Sequence, residues 1–203
     1  MYGLSLITPP SEEPVSLERA KLHLRVDDDA EDDLITALIT AARQYTESHT
    51  SKRWVSQGLR LTLPEWCCGA GDECGVLRLP CEPVSSVESV KYYATTGTLT
   101  TLVAGTDYQT WLDHFPPLVA PAPSKTWPTV ETGRLGAIQI EFTAGYADAA
   151  SVPENVKSAV LLCVGHWYEH RGDSDDPNAI PASMGIPPSA KRLLDNLATG
   201  AYL

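Results

Sequence analysis

The chain has 203 residues, 43% of them hydrophobic, which is enough to bury one core, or a main core with a small second one. Its formal net charge of −11 argues against binding DNA through a phosphate-neutralising surface, since that mode needs clustered Lys and Arg. No apolar run is long enough to cross a bilayer, and the N-terminus lacks the basic start and apolar core of a secretory signal. We therefore expect a protein that is made in the cytosol and does not bind membranes.

The N-terminal quarter of the chain predicts an extended lead followed by two helices. Residues 4–7 predict the lead, which we expect to lie along another surface or another subunit. Residues 15–54 predict a short helix, an acidic turn and a long helix, with Ser16 suited to cap the first helix. Asp28 or Asp29 is suited to cap the second. The long helix then carries apolar residues at three-and-four spacing, which predict one buried face: Leu34, Ile35, Leu38, Ile39, Ala41, Ala42 and Tyr45.

In the middle of the chain the apolar period becomes two, which predicts β-strands. The prolines in residues 115–128 are too numerous for a sheet interior, so we expect a surface loop or extended arm there. Strands are predicted in the regions that alternate most clearly, with a hairpin around Gly97: residues 59–63, 76–79, 87–93, 108–112 and 137–142.

Helix returns in the last quarter of the chain. Pro153 is tolerated in a first helical turn, and Gly172 is suited to the left-handed cap that would end this helix. A last helix is predicted from about residue 189 to residue 198. The predicted fold class is α+β, a small helical bundle from the N- and C-terminal halves with an inserted small antiparallel β-sheet. The predicted regions are the N-terminal half of the bundle, the β-rich insertion and the C-terminal half: residues 1–57, 58–148 and 149–203.

Two sets of residues could carry metal or thiol chemistry. His166 and His170 lie four apart on a helix, a spacing that can place two imidazoles on one metal. Trp167 stands where a zinc-protease helix has Glu, so a helix end complemented by basic side chains is the simpler interpretation. The cysteines have no C-x-x-C spacing and are odd in number, which favours free thiols in a reducing cytosol: Cys67, Cys68, Cys74, Cys81 and Cys163. A small cytosolic enzyme or metal-binding protein is the alternative, although we predict no cofactor and no metal.

Several segments carry a family resemblance. The opening helices contain HLRVD, an acidic turn with E-D-D, and LITALITAARQYTESHTSKRW. The segments FTAGYADAASVPENVKSAVLLCVGHWYEHRG and IPPSAKRLLDNL follow in the same order as in the second half of the family. Together these residues resemble the tailed-bacteriophage head–tail connector family, whose members act as adaptors or head-completion proteins. The resemblance covers both ends of the chain, and covers residues 59–135 only loosely.

The resemblance implies a structural virion protein rather than an enzyme. Such a protein would dock on the portal and form a ring, twelvefold to match the portal, that extends the DNA channel. It would give a platform to a stopper or tail-completion protein, and DNA would pass through without sequence-specific binding. The expected location is the head–tail interface of the virion, and the host cytoplasm during assembly. The simplest members of the family are nearly all helical, so the β-rich insertion is a departure.

The resemblance also suggests where contacts form. Extended segments at both termini and in the proline-rich region would order on neighbouring subunits. Trp111 and Trp127 flank the proline-rich region and are candidate interface anchors. Acidic residues of the first turn would line the lumen or pair with an Arg of a neighbouring subunit: Asp28, Asp29 and Asp32. The C-terminal candidates for contact with the portal or an adjacent subunit are Leu193, Leu194, Leu197 and Tyr202. The alternative is that the three leucines simply close the bundle, and it is the favoured interpretation for Leu194 and Leu197.

Overall fold

A computed structural model describes residues 2–66, 75–170 and 187–198. In that part of the chain it contains four α-helices and eight β-strands. The predicted α+β class, with helices from both ends of the chain and antiparallel sheet in the middle, is therefore confirmed.

The chain divides into two compact units. The sheet unit comprises Met1–Ser11 and Ser56–Tyr146, and the helical unit comprises Glu12–Val55 and Ala147–Leu203. The first eleven residues thus belong with the sheet, whereas the sequence suggested that they belong with the first helices.

The helical unit contains four helices drawn from two separate stretches of chain. Ser16 caps the first helix as predicted, since its hydroxyl accepts a hydrogen bond from the backbone N–H of Arg19 at 3.2 Å. The third helix begins directly after Pro153, also as predicted. Gly172, the predicted cap, lies outside the described residues. The helices are α1 (Leu17–Leu24), α2 (Asp32–Thr50), α3 (Glu154–Glu169) and α4 (Pro188–Ala198).

Two details of α2 differ from the prediction. Neither Asp28 nor Asp29 caps it, because Glu31 occupies the N-cap position and makes no side-chain cap bond. The buried face also lies further round the helix than predicted, so that Leu34, Ala41 and Tyr45 are exposed. The buried residues become polar toward the C-terminal end of the helix: Ile35, Ile39, Ala42, Arg43, Thr46, Glu47 and Thr50.

The sheet unit contains two antiparallel sheets. The five-stranded sheet has the order β1-β2-β8-β4-β5, and the three-stranded sheet has the order β3-β7-β6. The strands are β1 (Gly3–Thr8), β2 (Gln57–Leu63), β3 (Leu77–Arg78), β4 (Val84–Tyr93), β5 (Leu99–Leu102), β6 (Tyr108–Trp111), β7 (Leu118–Pro121) and β8 (Ile138–Ala144).

One core is shared by the two sheets. Strands β2 and β8 alternate strictly between buried and half-exposed positions, which confirms the period of two in their sequences. Side chains from both sheets meet in this core, among them Leu59, Leu61, Val90, Ile140, Phe142, Leu77, Tyr108 and Val119.

Two expectations for the β-rich part of the chain were wrong. Residues 4–7 are extended as predicted, but they lie in β1 and pair with β2 of the same chain rather than with another subunit. The proline-rich segment contributes β7, which is the central strand of the three-stranded sheet. Pairing is possible because Pro117 precedes this strand and Pro121 is its last residue, so Val119 and Ala120 keep their backbone donors. The number of prolines was misleading, and their positions decide the structure.

Candidate interaction surfaces

The acidic turn between α1 and α2 is held by bonds within the chain. Lys21 Nζ lies 2.6 Å from the carboxylate of Asp29 and 2.7 Å from that of Asp32. These contacts raise the pKa of Lys21, and the same ammonium lowers the pKa of Asp29. Asp28 is exposed, and its carboxylate accepts from the backbone N–H of Ala30 at 3.0 Å. Of the three acids predicted to face a lumen, two are therefore already paired with a cation of the same chain.

The leucines of α4 that were predicted for contact differ in burial. Leu194 is fully buried, so it closes the bundle, in agreement with the alternative given for it. Leu193 and Leu197 are half-buried and keep part of their surface accessible. The helix is joined to α2 by a contact of 3.3 Å between His49 Nε2 and a carboxylate oxygen of Asp195. Tyr202 lies outside the described residues.

The two candidate tryptophan anchors occupy different environments. Trp111 is 61% exposed at the end of β6, with its ring centroid 4.7 Å from that of His114. Trp127 stacks on Trp66 with centroids 4.2 Å apart, and its indole N–H donates to the carbonyl of Gly75 at 2.6 Å. Trp127 thus has a partner inside the sheet unit, and Trp111 presents its apolar surface to solvent.

The histidines and cysteines are placed as follows. The rings of His166 and His170 lie 4.5 Å apart, and His170 Nδ1 contacts the carbonyl of His166 at 2.8 Å. Burial raises the pKa of the Cys163 thiol to about 12, which disfavours the nucleophilic thiolate. Cys81 is also buried, and the other three cysteines are not described. Over residues 2–66, 75–170 and 187–198, no three His, Cys, Asp or Glu side chains are grouped so that they could hold a metal ion.

A buried ionic cluster in the helical unit was not predicted from the sequence. Arg43 Nε lies 2.7 Å from the carboxylate of Glu13, and Arg43 Nη1 lies 3.2 Å from that of Glu47. Glu47 also accepts from the backbone N–H of Trp54 at 3.1 Å, and the indole N–H of Trp54 donates to Thr46 at 2.9 Å. This cluster fixes the chain where it enters α1 and where it leaves α2. The spacing of four between Arg43 and Glu47 was the available signal.

Both the sequence and the fold are similar to those of known proteins. Residues 14–72 match the family model described as "Phage gp6-like head-tail connector protein". The whole fold is similar to a chain in the "Neck of empty GTA particle computed with C6 symmetry", with a TM-score of 0.71 and 25% identity over 94% of both chains. It is equally similar to a chain in the "Virion of native gene transfer agent (GTA) particle", with a TM-score of 0.71 and 26% identity over 94% of both chains.

Residues 14–72 of this chain thus match the head–tail connector family, and nearly the whole fold is similar to neck chains of phage-type particles. A further similar chain occurs in the "Neck of native GTA particle computed with C12 symmetry", with a TM-score of 0.67 and 25% identity over 94% of both chains. No curated protein gives a significant match to the sequence. The connector is thus a structural protein of the head–tail interface of a phage-type particle, and its β-rich part has counterparts in the neck chains, since the similarity spans nearly the whole length.

Among the helices that the structure describes, none has both the length and the apolar character required to span a bilayer. Of the contact candidates named from the sequence, those that stay accessible in the structure lie in the acidic turn, on one edge of α4 and at the end of β6.

Proposed function

We propose that this connector forms a ring on the portal, extends the DNA channel and offers a platform to a stopper or tail-completion protein. Its work is assembly and involves no catalytic turnover. The observation that carries the proposal is the similarity over 94% of the chain to neck chains of gene transfer agent particles. One neck was computed with C12 symmetry and another with C6 symmetry. A twelvefold ring contains the sixfold rotations, so twelve copies are compatible with both.

The net charge of −11 supports a channel function. An acidic wall repels the phosphates of DNA, so the duplex can slide through without being held at one position. We place Asp28 on this wall together with Asp29 and Asp32, whose charge is partly offset by Lys21.

The charge of Asp28 can be removed without disturbing the turn. Asp28→Asn keeps an oxygen that accepts from Ala30, and therefore leaves the local hydrogen bond in place. We expect normal assembly with altered retention of DNA in filled particles, measured as the fraction of particles that keep their genome. Asp33→Asn, in the first turn of α2, removes the same charge outside the assigned set and is the matched control, for which we expect unchanged retention. Unchanged retention in both variants, and in a variant with Asp28, Asp29 and Asp32 all reversed in charge, would contradict the lumen assignment.

For contact with the portal or an adjacent subunit we propose Leu193 and Leu197, with Tyr202 beyond the described residues. Leu193 and Leu197 are only half-buried, whereas Leu194 is fully enclosed. Trp111 is the proposed anchor in the sheet unit because 61% of its surface is exposed. Trp127 stays a weaker candidate, since its ring already stacks on Trp66.

The test is negative-stain electron microscopy of the purified connector, alone and mixed with the portal encoded beside it. Rings, or added density on one face of the portal, are the expected result. Leu193→Ser should reduce binding, and Lys191→Ser, an exposed position on the same helix, should not. Circular dichroism of both variants verifies that α4 is still folded. A monomer that never binds the portal would overturn the proposed function.

A further inference from the structure

The five-stranded sheet of the sheet unit has two outer strands, β1 and β5. Within residues 2–66, 75–170 and 187–198, β1 pairs only with β2, and β5 pairs only with β4. Each outer strand therefore presents a row of backbone N–H and C=O groups on its open side, and such rows accept a further strand. Ser5 in β1 and Thr101 in β5 are exposed, so both edges are accessible in the isolated chain.

The outer strands of this sheet lack the charged side chains that usually protect a sheet edge from pairing. Solitary edge strands are commonly protected by Lys, other charges or proline. Here β1 (GLSLIT) and β5 (LTTL) contain no charged residue, whereas the charges lie on the inner strands. Arg60 is on β2, Lys91 is on β4, and both bind Glu141 on β8. A register shift after Leu6 and the prolines that follow limit the open ladder of β1 to residues 3–6, which matches the four residues of β5.

An apolar row crosses the whole sheet and ends at both edges. It runs through paired residues in the order Leu4, Leu61, Ile140, Val90 and Leu102. A strand added at one edge with the same alternation would continue this row, because side chains of paired residues share a face. Apolar side chains with at least two-fifths of their surface exposed lie at or beside the two edges: Leu6, Ile7, Leu99 and Val103.

The relative direction of β1 and β5 determines which symmetric contacts between copies they can form. Every neighbouring pair in the sheet is antiparallel, so β1 and β5 run in the same direction. Neighbouring copies in a twelvefold ring differ by a rotation of only about 30°. In such a ring, β5 of one copy and β1 of the next would be parallel. A two-fold contact of β1 with β1, or of β5 with β5, would be antiparallel and would stop at two copies.

We propose that β1 of one copy pairs with β5 of the next copy as a parallel strand, so that the sheet continues around the ring. This inference rests on the proposed function, because it needs neighbouring copies in a closed ring. The occupant of each edge is a second copy of this chain, and the contact is head-to-tail.

Cysteine cross-linking tests the pairing directly. Ser5 and Thr101 lie on the same face of the sheet, since their partners Arg60 and Lys91 both bind Glu141. A connector with Ser5→Cys and Thr101→Cys, oxidised under conditions that give rings, should form a ladder of covalent species larger than dimers. Ser5→Cys with Val103→Cys examines the register shifted by two residues, in which Leu4 of one copy lies beside Leu102 of the next and the apolar row continues. Each single variant and the unmodified chain, with its own five cysteines, set the background.

A charge exchange tests the same contact without covalent chemistry. Ser5→Lys alone and Thr101→Lys alone should each raise the concentration needed for half-assembly by about tenfold, because a charge is placed on a strand edge that must pair. Ser5→Lys combined with Thr101→Glu should recover most of that loss, since the opposite charges meet across the contact. Sedimentation velocity measures the assembly, and circular dichroism verifies the fold.

Each outcome decides the proposal. A ladder, or recovery in the exchanged pair, supports it. Dimers from a single cysteine variant overturn it in favour of a two-fold contact. Intact rings that give no ladder in either register and tolerate the charges overturn the strand pairing and leave the proposed function standing. Monomers with neither ladder nor rings overturn both.

Discussion

The ionic cluster of Arg43 in the helical unit and that of Glu141 in the sheet unit differ in burial. In the helical unit two carboxylates surround one guanidinium, and the side chain of Arg43 is only 7% exposed. In the sheet unit two cations surround the carboxylate of Glu141, and the side chain of Arg60 is 37% exposed. Water can replace a lost partner in the second cluster but not in the first. The same kind of contact is therefore essential in one unit and minor in the other.

The largest difference is expected when one cation is removed from each cluster. Arg43→Ala should reduce the free energy of unfolding of the helical unit by about 3–5 kcal/mol, because Glu47 would remain buried without its guanidinium. Arg60→Ala should cost the sheet unit about 0–1 kcal/mol, as for other exposed pairs. Urea unfolding measures both. Equal losses would show that burial does not separate the two clusters.

A smaller effect is expected from single hydroxyl groups. Thr46→Val leaves the buried indole N–H of Trp54 without its acceptor and should cost about 1–3 kcal/mol. Ser89→Ala removes one of several donors to Glu141 and should cost about 0.5 kcal/mol. Unfolding curves of the two variants, followed by tryptophan fluorescence for Thr46→Val, provide the comparison. A loss for Ser89→Ala that equals or exceeds the loss for Thr46→Val would contradict it.

Acid should weaken the sheet cluster in a defined pH range. Hydrogen bonds from Arg60 and Ser89 are the main causes that lower the pKa of Glu141 to about 2. A lowered pKa stabilises the folded state above the ordinary pKa of about 4.5, and this stability is lost as the pH falls toward 2. Between pH 5 and pH 2, Tm should fall by about 2–4 °C more in the unmodified chain than in Glu141→Gln.

The control for this pH experiment is already present in both proteins. Glu154, whose pKa is also lowered to about 2, mainly by its hydrogen bonds with Arg19 and Lys157, contributes equally to each curve. Identical pH dependence of Tm in the unmodified chain and in Glu141→Gln would show that Glu141 contributes nothing to acid stability.

The smallest effect is expected from salt. Raising the NaCl concentration from about 0.05 M to about 0.5 M shortens the screening length to a few ångströms, which weakens exposed pairs more than buried ones. The cost of Arg60→Ala should therefore shrink toward zero, and the cost of Arg43→Ala should stay the same. Thermal unfolding at the two salt concentrations measures both costs. A cost of Arg43→Ala that falls with salt would mean that water reaches that cluster.

The elements that could be predicted from sequence are those set by local patterns. Strict alternation located β2 and β8, and the cap at Ser16 located the start of α1. Contacts between distant residues could not be read in this way. Glu13 lies 30 residues before Arg43, so the burial of that arginine was not visible in the pattern of the helix. The predicted buried face of α2 contained apolar residues alone, and therefore omitted Arg43 and Glu47, which the structure buries.

The candidate interaction residues show the same limit. The spacing of Leu193, Leu194 and Leu197 predicted an apolar edge on α4, but only the fold shows that Leu194 is the enclosed one. The sequence did not distinguish Trp111 from Trp127 as interface anchors. In the structure Trp127 stacks on Trp66, whereas Trp111 stays exposed. Whether an apolar side chain closes a core or stays available to a partner is decided by tertiary contacts, which a one-dimensional pattern does not contain.

The path of the chain has a consequence for synthesis. The sheet unit is complete once β8 has emerged from the ribosome, whereas α1 and α2 must wait for α3 and α4, which follow β8 in the chain. Domains generally fold as units during synthesis, with N-terminal domains folding first. Here α1 and α2 leave the ribosome with their apolar faces uncovered, and they are shielded only after α3 and α4 have been translated. A connector truncated after Tyr146 would keep its sheet and lose the helical half, so premature termination would release chains prone to aggregation.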